Sequence, residues 1–129
     1  MIAAVLDSSA AIALLADGGT DAAVIRSASL YAPEIIDLEF TNVIRKLELR
    51  DELNSPNAAR LVHDWGTNRV VRCRHAGFLP RIWQLRGHIT PYDAAYVALA
   101  EHLNLPLVTA DRRLAKAAAR FCEVVTLGA

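Results

Sequence analysis

The chain has 129 residues, 53% of them hydrophobic, with 14 Lys and Arg balanced by 14 Asp and Glu. That length and apolar content suit one domain, residues 1–129, with a real core, and zero net charge argues against a generally basic coat for nucleic acid. The first apolar stretch, Met1 to Leu15, lacks a basic leading segment and is interrupted by Asp7, so it does not read as a signal peptide; no stretch approaches a membrane span, and the expected location is the cytoplasm. Cys73 and Cys122 form no Cys-x-x-Cys and no Cys/His metal spacing, and they read as two buried, reduced thiols.

In chain order, the apolar run Ile2 to Leu6 ends at Asp-Ser-Ser, and an alanine-rich helix continues over Ala10 to Leu15: strand, turn, helix. Asp17-Gly18-Gly19-Thr20 breaks that helix and caps a short one from Asp21 to Ala28. Leu30 to Ala32 is a brief second strand, with Pro33 suited to the first turn of the next helix. That helix, Glu34 to Arg50, repeats Ile35, Ile36, Val43, Ile44 and Leu47 at helical spacing. Asn54-Ser55-Pro56 stops it and starts another helix, Asn57 to Trp65. Val70-Val71 is a third strand, Phe78 to Leu85 a helix, and Thr90-Pro91 opens a strong helix to Leu103. Leu105 to Thr109 is the fourth strand, Asp111 to Ala119 a helix, and Val124 to Leu127 the last strand.

Strands alternating with helices predict an α/β fold, a parallel five-stranded sheet covered on both faces. Parallel crossovers put every strand's carboxyl end on one edge, where open α/β sheets bind ligands. No repeat, low-complexity segment or linker interrupts the pattern. One charge asymmetry stands out: between Trp65 and Tyr92 the chain carries Arg69, Arg72, Arg74, Arg81 and Arg86, with His75 and His88, and no acid. Either these arginines form a solvated face or pair with acids elsewhere, or they make a phosphate-facing strip beside an acidic centre, in which Arg72, Arg81 and Arg86 are the candidate phosphate contacts.

Four acids fall where such a fold would gather them: Asp7 after the first strand, Glu39 on the second long helix, Asp93 at the start of the Thr90-Pro91 helix, and Asp111 past the fourth strand. Each Asp also has a capping role open to it. Asp7 and Asp111 precede helices, and Thr90-Pro91-Tyr92-Asp93 has the form of a capping box. Glu39 is different. It shares a helix face with Ile35, Ile36, Asn42 and Val43, while Asp37, Thr41 and Glu48 project from the other side. A carboxylate on an apolar stripe is costly unless a cation meets it, and Lys46 lies about two turns away. A buried pair with an arginine is one solution; a divalent metal shared with the three Asp residues accounts for all four positions. Mg²⁺ or Mn²⁺ suits an all-carboxylate set, and His63, His75, His88 and His102 show no ligand spacing of the kind Zn²⁺ would want. Carboxylates around hard cations orient water and neutralise a phosphodiester during hydrolysis.

At these residues the chain resembles the PIN-domain ribonucleases and, within them, the VapC-type toxins of bacterial toxin–antitoxin pairs. Val5-Leu6-Asp7-Ser8-Ser9-Ala10 looks like the family's first-strand motif, Glu39 with Asn42 like its helix motif, Thr90-Pro91-Tyr92-Asp93-Ala94-Ala95 like its third, and Leu107-Val108-Thr109-Ala110-Asp111 like its fourth. The resemblance implies a parallel five-stranded sheet, Mg²⁺ or Mn²⁺ dependence, RNA cleaved to 5′-phosphate and 3′-hydroxyl ends, a homodimer, and a cognate antitoxin that blocks the site. By the same resemblance Asp7, Glu39, Asp93 and Asp111 are the catalytic and metal-binding quartet, and Ser9, Asn42 and Thr109 support them.

Rival readings are weaker. A receiver-type phosphoacceptor wants a second acid beside the first-strand Asp and a lysine after a late strand, and the chain has neither. A haloacid-dehalogenase-type phosphatase wants Asp-x-Asp where this chain has Asp7-Ser8-Ser9. A non-catalytic PIN-like binding module stays open, although a complete acidic set is an odd burden of repulsion for an inert scaffold.

Overall fold

The computed structural model describes residues 2–16, 25 and 27–128. Five strands, β1 (Ala3–Leu6), β2 (Ser29–Pro33), β3 (Val71–Cys73), β4 (Leu107–Thr109) and β5 (Val124–Thr126), form one sheet in the order β3-β2-β1-β4-β5. Every pairing is parallel. Among the described residues six helices pack on it: α1 (Ser8–Ala16), α2 (Ile36–Leu49), α3 (Ser55–Gly66), α4 (Leu79–Gln84), α5 (Pro91–Leu103) and α6 (Arg112–Ala118). The order runs outward from β1 to β3, then returns to β4 on the other side of β1. The carboxyl ends of β1 and β4 therefore flank the switch point, the crevice where open sheets take ligands.

Local chemistry sets the helix ends. α1 begins at Ser8, earlier than the alanine run suggests, because the Asp7 carboxylate accepts the Ala10 N–H at 2.8 Å and supplies the cap. Asn54 caps α3 by accepting from Asn57 N–H at 2.9 Å. Thr90 caps α5, and Asn104 ends it in the left-handed conformation at φ 53°. The short helix expected from Asp21 to Ala28, with the Asp17-to-Thr20 break before it, falls mostly outside the described residues.

Three expectations shift. Pro33 closes β2 rather than opening the next helix: it sits opposite Cys73, and Glu34 N–H bonds the Cys73 carbonyl at 2.9 Å, so α2 starts only at Ile36. β3 lies at Val71–Cys73 rather than Val70-Val71, because Asn68 Oδ1 takes the Val70 N–H at 3.0 Å and ends the preceding turn there. Asp37 does not project freely from the back of α2. Its Oδ1 accepts from Trp65 Nε1 at 2.8 Å and from Arg72 Nε at 3.0 Å, clamping α2 to α3 and β3.

The core is α5 against the sheet. Residues 94–100 of α5 are buried without interruption, as expected of a helix enclosed on nearly every side. α2 turns Ile36, Phe40 and Ile44 inward, and Phe40 stacks on Trp65 of α3 with centroids 4.6 Å apart. α2 and α5 thus bring Glu39 and Asp93 towards the edge where β1 and β4 end. Cys73 and Cys122 are free thiols, as expected, but only half-buried. No helix among the described residues is long and apolar enough to cross a membrane.

Candidate active site

Asp7 follows β1 directly, and its side chain is engaged on both oxygens. Oδ1 accepts from Ser9 Oγ and from Ala10 N–H, both at 2.8 Å, and Oδ2 accepts from Thr109 Oγ1 at 2.6 Å. Thr109 ends β4 and is fully buried; its Oγ1 also accepts the Asp111 N–H at 3.0 Å and lies 3.1 Å from Ser9 Oγ. Ser9 Oγ in turn accepts the Ala110 N–H at 2.9 Å. This knot fixes the ends of the two strands at the switch point to each other, and Asp7 between them. Burial pushes the Asp7 carboxyl above its ordinary range, the bonds from Thr109, Ala10 and Ser9 pull it back, and the charge of Asp111 raises it again.

Glu39 comes from the first turn of α2 and meets Tyr96 from the second turn of α5: the phenol donates to Glu39 Oε1 at 2.5 Å. Burial raises the Glu39 carboxyl, Tyr96 lowers it, and the nearby charges of Asp93 and Asp7 raise it further. Tyr96 is buried, and its phenol is held far above its ordinary range by burial and by the charge of Glu39. Reasoning from the sequence missed this residue. The signal was present, since Tyr96 lies three residues after Asp93 and so on the same face of the helix.

Asp93 does not complete the capping box. Thr90 Oγ1 accepts the Asp93 N–H at 3.2 Å, but the Asp93 carboxylate turns away and accepts from Arg113 Nη2 at 3.1 Å. Asp111 does cap: its Oδ1 accepts from the N–H groups of Arg113 and Leu114 at 2.9 and 3.2 Å, while its Oδ2 lies 3.5 Å from Arg113 Nη2. Arg113, also unforeseen, thus links two of the four acids. Asn42 is exposed and makes no side-chain hydrogen bond among the described residues. Ser9 and Thr109 stand with the acids, and Asn42 stands apart.

The electrostatic couplings join all four carboxylates, Asp7 with Asp111 and Glu39 with both Asp93 and Asp7. They meet in pairs: among the described residues no three His, Cys, Asp or Glu side chains stand, as placed, close enough to hold an ion. The donor chemistry still fits a hard divalent cation. All four acids are carboxylates, Glu39 Oε2 has no hydrogen-bond partner among the described residues, and Arg113 already sits as a cation between Asp93 and Asp111. Of the histidines, His88 pairs with Arg120 and His102 packs against Phe78, while His75 Nδ1 lies 3.9 Å from Glu34 Oε1 and makes no hydrogen bond among the described residues.

The 65–92 arginines divide. Arg72 donates to Asp37, Asn68 and the backbone of Trp65 and Val70, with its guanidinium 5.0 Å from the Trp65 ring centroid. Arg81 makes a two-point pair with Glu101 at 2.9 and 2.8 Å. Arg86 bonds the Trp83 carbonyl and lies over its ring at 4.2 Å. Pairing with groups inside the protein therefore describes Arg72 and Arg81, while Arg69 and Arg74 are exposed. An apolar groove of about 760 Å³, lined by Leu14, Leu30, Tyr31, Trp65 and Val70 among others, contains none of the four acids.

The fold is a five-stranded parallel α/β domain with Asp7 and Asp111 at its carboxyl edge. The chain belongs to the PIN domain family, whose profile covers residues 4–120. It is similar to VapC ribonuclease Mb0985 of Mycobacterium bovis, 37% identical over 123 residues spanning 95% of this chain and 97% of that protein. Ribonuclease VapC1 of Mycobacterium tuberculosis is 36% identical over 128 residues, covering 93% of this chain and 94% of the relative. The fold is also that of PAE2754 from Pyrobaculum aerophilum, with a TM-score of 0.68 at 23% identity, covering 96% of this chain and 84% of that one.

Proposed function

We propose that this protein is a Mg²⁺- or Mn²⁺-dependent endoribonuclease that acts in the cytoplasm as the toxin of a type II toxin–antitoxin pair, restrained by a cognate antitoxin bound over the acidic edge. The observation that carries the reading is the Asp7–Ser9–Thr109 knot at the switch point, with Glu39, Asp93 and Asp111 electrostatically coupled around it. Its relatives named as ribonucleases, similar over nearly their whole length, supply the substrate class.

Asp7 and Asp93 would be the chief ligands, with Glu39 and Asp111 binding directly or through water. The bound cation would lower the charge barrier at the phosphodiester and favour ionisation of an attacking water. The chain's own contribution is order. Three hydrogen bonds hold Asp7 in one rotamer, Tyr96 fixes one oxygen of Glu39 and leaves Oε2 to face ligand or water, and Asp111 is held by its cap. Such fixed donors need little reorganisation when charge develops on the phosphate.

The test is cleavage of single-stranded RNA by the purified protein. Activity should vanish in EDTA and return with Mn²⁺ or Mg²⁺, Ca²⁺ should support it poorly, and the products should carry 5′-phosphate and 3′-hydroxyl ends. Undiminished cleavage after thorough metal removal, or full activity in both Asp7→Asn and Asp93→Asn, would overturn the proposal. A protein that binds RNA and never cuts it would be the non-catalytic module.

A further inference from the structure

Arg113 occupies an unusual position for a surface arginine. Its Nη2 lies 3.1 Å from Asp93 Oδ2 and 3.5 Å from Asp111 Oδ2, bridging an acid in the first turn of α5 to the cap residue of α6. Nothing else holds it there: the side chain is 68% exposed, stacks on no ring and makes no further side-chain hydrogen bond among the described residues. An exposed bridge of this kind contributes little to stability. Its effect is to supply positive charge to two of four crowded carboxylates, the service a divalent cation would perform. Asp93 and Asp111 cannot turn fully to a metal while both face this guanidinium.

The surroundings favour a second use for the same group. Arg112 and Lys116 are exposed on the same short helix, and no acid occurs from Arg112 to Cys122. A guanidinium released from the carboxylates would stand in a locally basic surface beside the acidic centre, where a planar fork of donors matches phosphate oxygens.

We propose that Arg113 is a movable counter-ion of the acidic site, competing with the divalent cation for Asp93 and Asp111 and turning to an RNA phosphate once the cation holds them. This rests on the reading of the protein as a metal-dependent ribonuclease. It makes Arg113 a group with opposite effects on the two ligands: it opposes metal binding and, with metal bound, favours RNA binding. A merely structural ion pair would affect neither in this way.

The experiment compares wild type, Arg113→Gln and Arg113→Lys. Titration calorimetry with Mn²⁺ in the absence of RNA should show Arg113→Gln binding the ion about fivefold more tightly, the size expected for removing one nearby, well-solvated charge. Binding of a labelled single-stranded RNA oligonucleotide, followed by anisotropy, should be the same for wild type and Arg113→Gln in EDTA. In Ca²⁺, which loads the carboxylates with little turnover, the variant should bind about fivefold more weakly, and Arg113→Lys should recover part of the loss because the charge remains. Unchanged or weaker Mn²⁺ affinity in Arg113→Gln overturns the inference, as does an RNA defect equal in EDTA and Ca²⁺, which would make Arg113 a fixed contact. Failure of wild type itself to bind Mn²⁺ would bring down the ribonuclease reading along with this one. Wild-type Mn²⁺ binding with an indifferent variant would bring down this one alone.

Discussion

Asp7 and Thr109 form a buried acid and donor whose removal should have opposite consequences. Thr109→Val keeps the shape of the side chain but leaves Asp7 Oδ2 without its 2.6 Å donor in a site only 5% exposed. The expected loss is about 1–3 kcal/mol, the cost of an unsatisfied buried group. Asp7→Asn removes a charge instead. Its Oδ1 still accepts from Ser9 and Ala10, and its amide can donate to Thr109 Oγ1 if that hydroxyl turns to Ser9. The wild-type carboxyl is raised in the folded state, chiefly by burial, so between its unfolded and folded values the folded protein holds the extra proton. Wild-type stability therefore falls as pH rises through that window and stays lower above it. In urea melts with EDTA present, Asp7→Asn should equal or exceed wild type at pH 7, and any advantage should disappear in acid below the ordinary carboxylate range. A variant much less stable than wild type at pH 7 would show that the carboxylate is needed by the fold. Tyr96→Phe belongs beside these. It keeps the buried ring and removes the donor to Glu39 Oε1, and should weaken Mn²⁺ binding and slow cleavage about tenfold or more while costing about 1–2 kcal/mol of stability. Normal cleavage by Tyr96→Phe would mean that Glu39 needs no such support.

At the scale of elements, patterning was legible wherever one force dominated. The β1 run ending in Asp7, the Thr90-Pro91 start of α5 and the apolar β4 were readable because burial and capping agree there. Pro33 and β3 were misplaced because a side-chain acceptor, Asn68, and a bond across to Cys73 decide those boundaries, and neither is visible in a periodic pattern. Asp37 was misjudged for a related reason. Helical spacing gives its face, but what that face meets, Trp65 and Arg72, depends on the packing of α3. The same packing bears on the arginines. Arg72 is mostly covered and makes five hydrogen bonds, and Arg81 forks onto Glu101. Arg72→Gln should cost about 1–3 kcal/mol and Arg81→Gln about 1 kcal/mol, with RNA affinity and its salt dependence near wild type. Thermal melts and salt-series binding check this. A large binding loss in either variant at unchanged melting temperature would return these arginines to an RNA-facing role.

For the whole molecule, parallel crossovers put the carboxyl ends of all strands on one edge, so the placing of Asp7 and Asp111 at that edge could be reasoned from the sequence; that β1 and β4 are neighbours there comes from the strand order, which no periodic pattern gives. Nor could the partners of the acids be read: Tyr96 and Arg113 reach Glu39 and Asp93 across helix interfaces whose geometry no single segment encodes. Self-association poses a similar problem. The alanine-rich stretch of α5, Ala94 to Ala100, cannot serve as a contact surface because it is buried within the domain. Exposed apolar groups lie elsewhere, with Leu38 and Leu49 on α2, Tyr92 beside Asp93, and Leu79 and Trp83 one turn apart on α4 at 56% and 66% exposure. Trp83 with Arg86 over its ring is the kind of aromatic and guanidinium pair found at the centre of interfaces. A standard interface would cover about 800 Å² per partner, roughly a tenth of the 7660 Å² surface, so one helix face and its neighbours would suffice. If the chain pairs as the family resemblance implies, a homodimer should appear by sedimentation equilibrium at micromolar concentration. Trp83→Glu, placing a charge on an exposed position with no core to disturb, should shift it towards monomer without lowering the melting temperature of the separated chains. A wild-type protein that sediments as a monomer would remove the homodimer, and a Trp83→Glu protein that stays dimeric would move the interface to another face.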